Sequence, residues 1–195
     1  LISCTTTAPF TLTSSGVSTN TYTVSTTSSF PTFTTDVSMN VPPGKYLYYE
    51  VTILTPGLAQ IGFVNGNFQG DPSSGRGVGD DGDSWGYDGS RVYKWHRTGT
   101  RFGERWKKGD VIGVAIGEGR IGAGKGNIGD DSFWMFRTGV DTRGVKVGVT
   151  INKTASLSVN LGPAGFEYDV LGPNNNGKYV AVGDYRNEDR KGGWR

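Results

Sequence analysis

Glycine is the feature that most limits what this chain can fold into. The chain has 32 glycines among its 195 residues, more than twice the number expected from an average usage of about 7%. A glycine costs about 1 kcal/mol in the interior of a helix, and windows with helical periodicity contain one every three to five residues. Stable amphipathic helices are therefore not expected. Together with frequent Thr and Val and an aromatic content of 12%, the glycines predict many short strands joined by tight turns.

The first 41 residues are rich in Ser and Thr, but these residues follow a pattern. Polar and apolar side chains alternate in 10–13 and 21–25, and Phe33, Val37, Met39 and Val41 share one parity. Alternation with a period of two residues is typical of strands that bury one face and expose the other. We therefore predict strands here, with a low-complexity linker over residues 1–40 as the alternative.

The clearest strand pair in the sequence consists of residues 46–54 and 58–64, joined by Thr55-Pro56-Gly57. A Gly- and Asp-rich loop is predicted to follow over residues 65–83. Within the first strand, the better core candidates are Leu47, Tyr49, Val51 and Ile53. Apolar or alternating runs predict five further strands, at 111–116, 132–137, 145–149, 157–161 and 178–183.

The length of the chain fits one all-β domain with a sizeable core. We predict a single domain over residues 1–183, followed by a polar and mobile tail over residues 184–195. The single cysteine, Cys4, cannot form an internal disulfide, which excludes a disulfide-stapled scaffold. Because the sequence starts with Leu1, we expect either a processed product or part of a longer protein.

The charge balance argues against binding to nucleic acids. Twenty basic and 18 acidic residues give a net charge of +2, and the basic clusters at 91–108 and 186–195 are interpreted as solvated surface. No apolar run approaches the roughly 20 residues that a membrane-spanning helix needs. The sequence therefore predicts no nucleic-acid partner and no membrane insertion.

Two patterns resemble phosphate-binding loops. Residues 117–122 spell G-x-G-x-x-G, and residues 119–125 match the first seven positions of a P-loop. Such loops bind phosphate because they open a helix whose backbone N–H groups point at the anion. Residues 126–131 cannot begin a stable helix, and Gly126 stands where a Ser or Thr would bind Mg²⁺. We therefore predict a flexible loop between strands at 117–131, and no nucleotide or other cofactor.

The residues available for catalysis and metal binding are few. His96 is the only histidine, and no G-x-S-x-G elbow is present, so a His-based metal cluster or a hydrolase of that type is not expected. The acidic group Asp80, Asp81, Asp83 and Asp88 does not have the spacing of an EF-hand. We predict no metal site and no enzyme activity. A calcium-dependent lectin-like site or a pair of glycosidase carboxylates remains an alternative.

The central part of the sequence carries the most specific motif. Residues 77–96 (GVGDDGDSWGYDGSRVYKWH) and 102–113 (FGERWKKGDVIG) closely resemble the signature of SPRY domains. They are most similar to the type found in HERC-type ubiquitin ligases, ryanodine receptors and Ran-binding scaffold proteins. Entry motifs at 42–44, 48–53 and 60–63 and a closing motif at 156–168 extend the resemblance over roughly residues 40–170. The chain departs from the family in the Gly-rich segment between Ile116 and Ser132, at Thr138 where Asn is usual, and in a short connection between Val149 and Ala155.

The resemblance implies a fold and a function. The fold is expected to be a concanavalin-like bent sandwich of two antiparallel sheets. The function is expected to be non-catalytic binding of a peptide or protein partner through loops at one end of the sandwich. The resemblance also implies a cytoplasmic location.

By the same resemblance, the expected partner-binding residues are Trp85, Tyr87, Arg91 and Lys94, because the matching Tyr lies on the peptide-binding face in some SPRY domains. Gly86 and Gly89 are expected to allow sharp bends around Tyr87 and Asp88. Trp95 and Trp106 are expected to pack inside the fold.

Two other functions remain open from the sequence. The Thr-rich N-terminal strands would also suit a self-assembling structural subunit of an extracellular or viral particle, and Asn152-Lys153-Thr154 is a possible glycosylation acceptor. A carbohydrate-binding sandwich is the second alternative.

Overall fold

A computed structural model describes residues 2–4, 10–14, 20–126, 128–162 and 165–185 of the chain. This part contains fifteen strands, two short 3-10 helices at Pro173–Asn175 and Val182–Asp184, and no α-helix. The strands are β1 Ile2–Cys4, β2 Phe10–Ser14, β3 Thr21–Thr26, β4 Thr32–Thr35, β5 Tyr46–Thr55, β6 Ala59–Val64, β7 Ser84–Asp88, β8 Tyr93–His96, β9 Thr98–Arg101, β10 Val111–Gly117, β11 Arg120–Gly124, β12 Trp134–Phe136, β13 Lys146–Ile151, β14 Ser156–Asn160 and β15 Tyr179–Ala181. No helix of the described residues is long and apolar enough to cross a membrane.

The strands form a sandwich of two sheets. The seven-stranded sheet has the order β1-β4-β13-β6-β7-β8-β9, and the eight-stranded sheet has the order β12-β11-β10-β5-β14-β3-β2, with β15 added beside β5. All pairings are antiparallel except that of β15 with β5. The prediction of an all-β sandwich of two antiparallel sheets is confirmed.

The main core lies between the inner faces of the two sheets. The predicted core residues Leu47, Tyr49, Val51 and Ile53 of β5 all belong to it, and the Tyr49 hydroxyl reaches across to donate a hydrogen bond of 2.7 Å to the carbonyl of Gly62 on β6. The other face of β5 is buried as well, in a second cluster that includes Tyr46, Tyr48 and Tyr179. Strand β5 is therefore buried on both faces.

The predicted pairing of residues 46–54 with 58–64 is wrong, although both strands exist. Strand β5 pairs with β10 and β14, whereas β6 pairs with β13 and β7 in the opposite sheet. The Pro56-Gly57 connection crosses between the sheets and passes close to the turn between β13 and β14. A Cβ on Gly57 would lie 2.5 Å from Thr154 Oγ1 and 2.7 Å from Ala155 N. The two strands share a core because they face it from opposite sides.

The prediction of a loop over residues 117–131 is also wrong in its first part. Strand β11 runs through this segment and forms a hairpin with β10, in which Gly117 pairs with Arg120. The two turn residues, Glu118 and Gly119, have φ values of 49° and 72°, as the common two-residue hairpin turn requires. Small residues suit β11 because Phe133 packs where a Gly122 side chain would stand, with Cε1 2.5 Å from a hypothetical Cβ.

The C-terminal end of the described chain packs against the fold. Tyr185 lies against the core, and its hydroxyl accepts a hydrogen bond of 3.1 Å from the Asn40 backbone. The remainder of the predicted mobile tail, residues 186–195, lies outside the described residues. So do residue 1, residues 5–9 and 15–19 of the Thr-rich segment, and the side chain of Cys4.

Candidate functional site

The β7–β8 hairpin carries the four residues predicted to bind a partner. It places three of them on one face of the sheet and the fourth on the other face. Tyr87 pairs with Lys94 across the two strands, and Gly86 pairs with Trp95. Because side chains alternate between the faces of a sheet, Trp85, Tyr87 and Lys94 share the inner face. Arg91 lies in the turn after β7 and reaches over the Trp95 ring, 4.4 Å from its centroid, on the outer face.

Trp85 and Tyr87 are buried, with exposed fractions of 4% and 2%. Trp85 stacks on His96, with ring centroids 5.3 Å apart and an interplanar angle of 7°. The Tyr87 hydroxyl donates a hydrogen bond of 2.6 Å to the Glu104 carbonyl and accepts one of 3.0 Å from the Glu104 N–H. Its ring packs edge-on against Trp106. Burial raises the pKa of Tyr87 above its ordinary value. Both side chains therefore stabilise the fold, and contact with a partner stays a prediction.

Gly86 and Gly89 both allow close packing, and Gly89 also begins the turn after β7. Gly86 lies within β7, and neither Gly86 nor Gly89 has a positive φ. A Cβ on Gly86 would overlap the carbonyl oxygen of Val78, and one on Gly89 would lie 2.5 Å from Cδ2 of Trp106. The bend predicted at Gly86 is wrong, because this glycine lies inside a strand and leaves room for the Val78 carbonyl. The bend predicted near Gly89 is present, because Gly89 lies in the turn that joins β7 to β8.

Of the two tryptophans expected to pack inside the fold, one does so. Trp106 is 3% exposed and belongs to the main core. Trp95 is half-buried and lies on the outer face of the seven-stranded sheet between Arg91 and Tyr93.

Arg91 has its own buried carboxylate partner. Asp88 is fully buried and accepts hydrogen bonds from the Arg91 backbone N–H, at 3.0 Å, and from its Nε atom. Arg91 also borders a cavity of about 310 Å³ that is lined by Phe30, Leu58 and Asp80 among others. Arg91 is thus placed on a different surface from Lys94.

The acidic residues before β7 each stabilise a separate turn. Asp80 accepts a hydrogen bond of 2.8 Å from Gly77 N, Asp81 accepts one of 2.5 Å from Ser84 Oγ, and Asp83 accepts one of 2.8 Å from Asn65 Nδ2. Among the residues that the structure describes, no group of three or more His, Cys, Asp or Glu side chains is placed to hold a metal ion. These carboxylates therefore have a structural role, because their hydrogen bonds hold the 77–84 loop in place.

Two of the inner-face residues, Tyr87 and Lys94, border a groove between the two sheets. We call it the edge groove, because it lies where β8 and the segment after β9, at one edge of the seven-stranded sheet, face β11 and β12, at one edge of the eight-stranded sheet. It consists of two adjoining cavities of about 280 and 490 Å³ that share Phe102 and Ser132. The smaller cavity is lined by Tyr87, Glu104, Lys125 and Phe133 among others. The larger one is lined by Lys94, Asp131, Trp134, Met135, Phe136 and Arg137 among others.

Lys94 lies in the larger cavity with aromatic rings on two sides. Its Nζ atom donates a hydrogen bond of 2.5 Å to the Met135 carbonyl, and it lies 5.5 Å from the Phe102 ring centre and 5.0 Å from that of Phe136. Burial and the nearby Arg137 lower the pKa of Lys94, since both disfavour its positive charge. Within the described residues, no carboxylate lies within salt-bridge distance of this ammonium group.

Lys125 lies in the smaller cavity and, unlike Lys94, has carboxylate partners. Its ammonium group lies 3.1 Å from an Asp110 carboxylate oxygen and 3.4 Å from one of Glu104. Burial opposes the charge of Lys125, but the hydrogen bonds and negative charges of Asp110 and Glu104 together outweigh it, and the pKa of Lys125 is raised. Of the two lysines in the groove, Lys125 is therefore paired with carboxylates, whereas the hydrogen-bond acceptor of Lys94 among the described residues is a neutral carbonyl.

The sequence pointed to two residues of this groove, Tyr87 and Lys94. It did not indicate the opposite wall, which comes from β11, β12 and the segment between them. Phe102 and Ser132, which join the two cavities, are separated by 30 positions, and β9 and β12 belong to different sheets. The aromatic run at 133–136 was a usable signal for a packed strand. Nothing local in the sequence indicates that this run lies across a cavity from Lys94 and Phe102.

The sandwich and its signature hairpin are similar to one known class of domain. Residues 46–117 match the family model of the SPRY domain, and this range extends from the start of β5 to the end of β10. The resemblance to SPRY domains that the signature predicted is confirmed over this range. SPRY domains form a non-catalytic family that mediates protein interactions.

The curated proteins that the chain resembles include E3 ubiquitin-protein ligase RKP from Arabidopsis thaliana. The two sequences are 28% identical over 142 residues. The alignment covers 66% of the chain but only 10% of that ligase, so the chain spans about a tenth of the length of this relative. The wall of the edge groove that comes from β11 and β12 lies beyond the segment matched by the family model.

Proposed function

We propose that this domain binds an extended peptide segment of a protein partner in the edge groove, and that it does so without catalysis. The observation that carries the proposal is the pair of adjoining cavities, walled by aromatic side chains and containing a lysine without a carboxylate partner. Aromatic anchors in a concave site supply much of the binding energy of protein interfaces. Lys94 and Phe136 lie on strands β8 and β12, and strands position side chains better than loops.

The position of the groove refines the earlier expectation of loops at one end of the sandwich. The groove runs along the open edge between the sheets, and its irregular parts are the segments after β9, between β11 and β12, and after β12. An extended peptide fits such a site, because its side chains point alternately to two sides. Tyr87 would then contribute by holding the segment at Glu104 in place.

The comparison with a ligase suggests a setting for this binding. The relative is named as an E3 ubiquitin-protein ligase, and the chain covers a tenth of it. We propose that the domain supplies partner recognition to a longer protein whose activity lies in other parts.

The test is a selection of random 12-residue displayed peptides on the purified chain, followed by affinity measurements with fluorescent synthetic copies. Ser132 is exposed and joins the two cavities, so Ser132→Trp should block the groove without disturbing the core. We expect at least a tenfold loss of affinity, which corresponds to about 1.4 kcal/mol.

The matched control is Thr27→Trp. Thr27 is exposed in the turn between β3 and β4, far from β9 and β12 in the order of both sheets. This variant should keep the wild-type affinity within about twofold. Equal affinities of wild type and Ser132→Trp would place the peptide elsewhere and overturn the proposal.

A further inference from the structure

Among the described residues, not every cation around the edge groove has a carboxylate partner. Lys125 contacts Asp110 and Glu104, and Arg137 contacts the Asp131 carboxylate at 3.4 Å. On the outer face of the same hairpin, Arg91 contacts Asp88. Lys94 differs from these three cations, because its hydrogen-bond acceptor in the described residues is the neutral Met135 carbonyl.

The surroundings of Lys94 make its positive charge unfavourable in free energy as long as no carboxylate binds it. The side chain is half-buried, and its Nζ atom lies between the Phe102 and Phe136 rings. The faces of aromatic rings attract a cation, but they offset only part of its lost hydration. An ammonium group has three N–H donors, and one carbonyl leaves capacity for a further acceptor. A carboxylate forms charge-assisted hydrogen bonds that are roughly twice as strong as neutral ones.

We propose that Lys94 binds a carboxylate of the partner peptide, so that the edge groove selects ligands with an acidic group beside an apolar one. This inference rests on the proposed peptide-binding function and names the ligand chemistry of the same site. Arg137 and Asp131, which line the same cavity, pair with each other, so the charge left to attract the acidic group at this cavity is that of Lys94. The apolar neighbour of the acidic group packs on Phe102, the ring that borders both cavities. The carboxylate is supplied either by an Asp or Glu side chain or by the C-terminus of the partner.

The experiment repeats the peptide selection on wild type, on Lys94→Gln and on Lys153→Gln. Glutamine keeps the polarity and much of the length of lysine but removes the charge. Lys153 is an exposed lysine in the turn between β13 and β14 and does not line the groove, so it controls for the loss of one positive charge. We expect enrichment of Asp, Glu or a free C-terminus on wild type and on Lys153→Gln, and loss of that enrichment on Lys94→Gln.

A double-mutant cycle then measures the contact itself. The best wild-type peptide is synthesised in three forms: unchanged, with its enriched acid replaced by the amide, and with its C-terminus amidated. Removing the carboxylate that binds Lys94 should weaken binding to wild type about tenfold, and binding to Lys94→Gln by no more than about twofold. The form that loses affinity identifies the source of the carboxylate. Lys94→Arg should keep the preference for an acidic group, because it keeps the charge.

The outcomes separate this inference from the proposed function. If wild type enriches no peptide, peptide binding itself is refuted. If peptides are enriched without an acidic group, or if both carboxylate removals cost the same on wild type and Lys94→Gln, the groove binds peptides but Lys94 does not read a carboxylate. Thermal midpoints of all variants within a few degrees of wild type exclude misfolding as the cause of a lost preference.

Discussion

Tyr87 and Lys94 are cross-strand neighbours on one face of one hairpin, yet they have opposite surroundings. Tyr87 is covered by Trp106, and its hydroxyl both donates to and accepts from the Glu104 backbone. Lys94 lies one strand nearer to the sheet edge, beside the open groove, and keeps its charge without a carboxylate partner in the described chain. The difference teaches that a family signature can combine folding residues and binding residues at adjacent positions. We expect the distance of each residue from the sheet edge to decide which of these roles it has.

The largest expected effect comes from removing the Tyr87 side chain. Tyr87→Ala should lower the free energy of unfolding by about 3 to 5 kcal/mol, since it leaves a cavity in the core. Urea unfolding followed by tryptophan fluorescence measures this change.

A conservative change at the same position separates the ring from the hydroxyl. Tyr87→Phe keeps the ring and should cost about 1 to 3 kcal/mol, because the Glu104 N–H and carbonyl lose their partner. If Tyr87→Ala instead keeps the wild-type stability and abolishes peptide binding, Tyr87 is a contact residue and the comparison with Lys94 fails.

A methyl group on the strand beside Tyr87 should also destabilise the fold. Gly86→Ala places its Cβ against the Val78 carbonyl, a backbone atom that cannot rotate away, so a loss of about 3 kcal/mol is expected. Gly66→Ala is the matched control, because nothing lies within 4 Å of its added Cβ. The control should change the free energy of unfolding by less than about 0.5 kcal/mol. Similar values for the two variants would show that the 77–84 loop does not pack on β7 as described.

The Tyr87 hydroxyl also predicts a dependence on pH. Burial raises the pKa of Tyr87 above its ordinary value of 10.0. A group whose pKa is higher in the folded state stabilises the fold fully below the unfolded value and loses that effect as the pH rises through the folded value. The stability advantage of wild type over Tyr87→Phe should therefore be constant near pH 8 and shrink above about pH 10. Urea unfolding of both proteins across this range tests the prediction, and an advantage that grows with pH would contradict it.

The smallest expected effect on stability is that of Lys94→Gln. Because Lys94 has no carboxylate partner within the described residues, its replacement should change the free energy of unfolding by no more than about 0.5 kcal/mol. The same urea titration measures it. A loss above about 2 kcal/mol would show that the contacts of Lys94 with Phe102, Phe136 and Met135 hold the edge strands together, and Lys94 would then resemble Tyr87.

The candidate site could be predicted only in part from the sequence. The signature identified Tyr87 and Lys94 as neighbours of interest, but it also grouped them with Arg91, which the hairpin turn carries to the outer face with Asp88. Phe102 and Phe136 flank Lys94 from two sheets, and no local pattern joins residues on different sheets. The role of Gly86 was similarly hidden, because a glycine needed for close packing looks like a glycine needed for a turn until its neighbours are known.

By itself the sequence determined the all-β class, the positions of most strands and the place of the SPRY signature. These properties depend on backbone preference and on alternation within a few residues, which are local. Only the tertiary structure decided that β5 and β6 lie in opposite sheets, that β11 pairs with β10 in the Gly-rich hairpin, and that Lys94 and Phe102 face β12 across a groove. These features depend on long-range pairing, in which the burial of a whole face outweighs the short connection between two neighbouring strands.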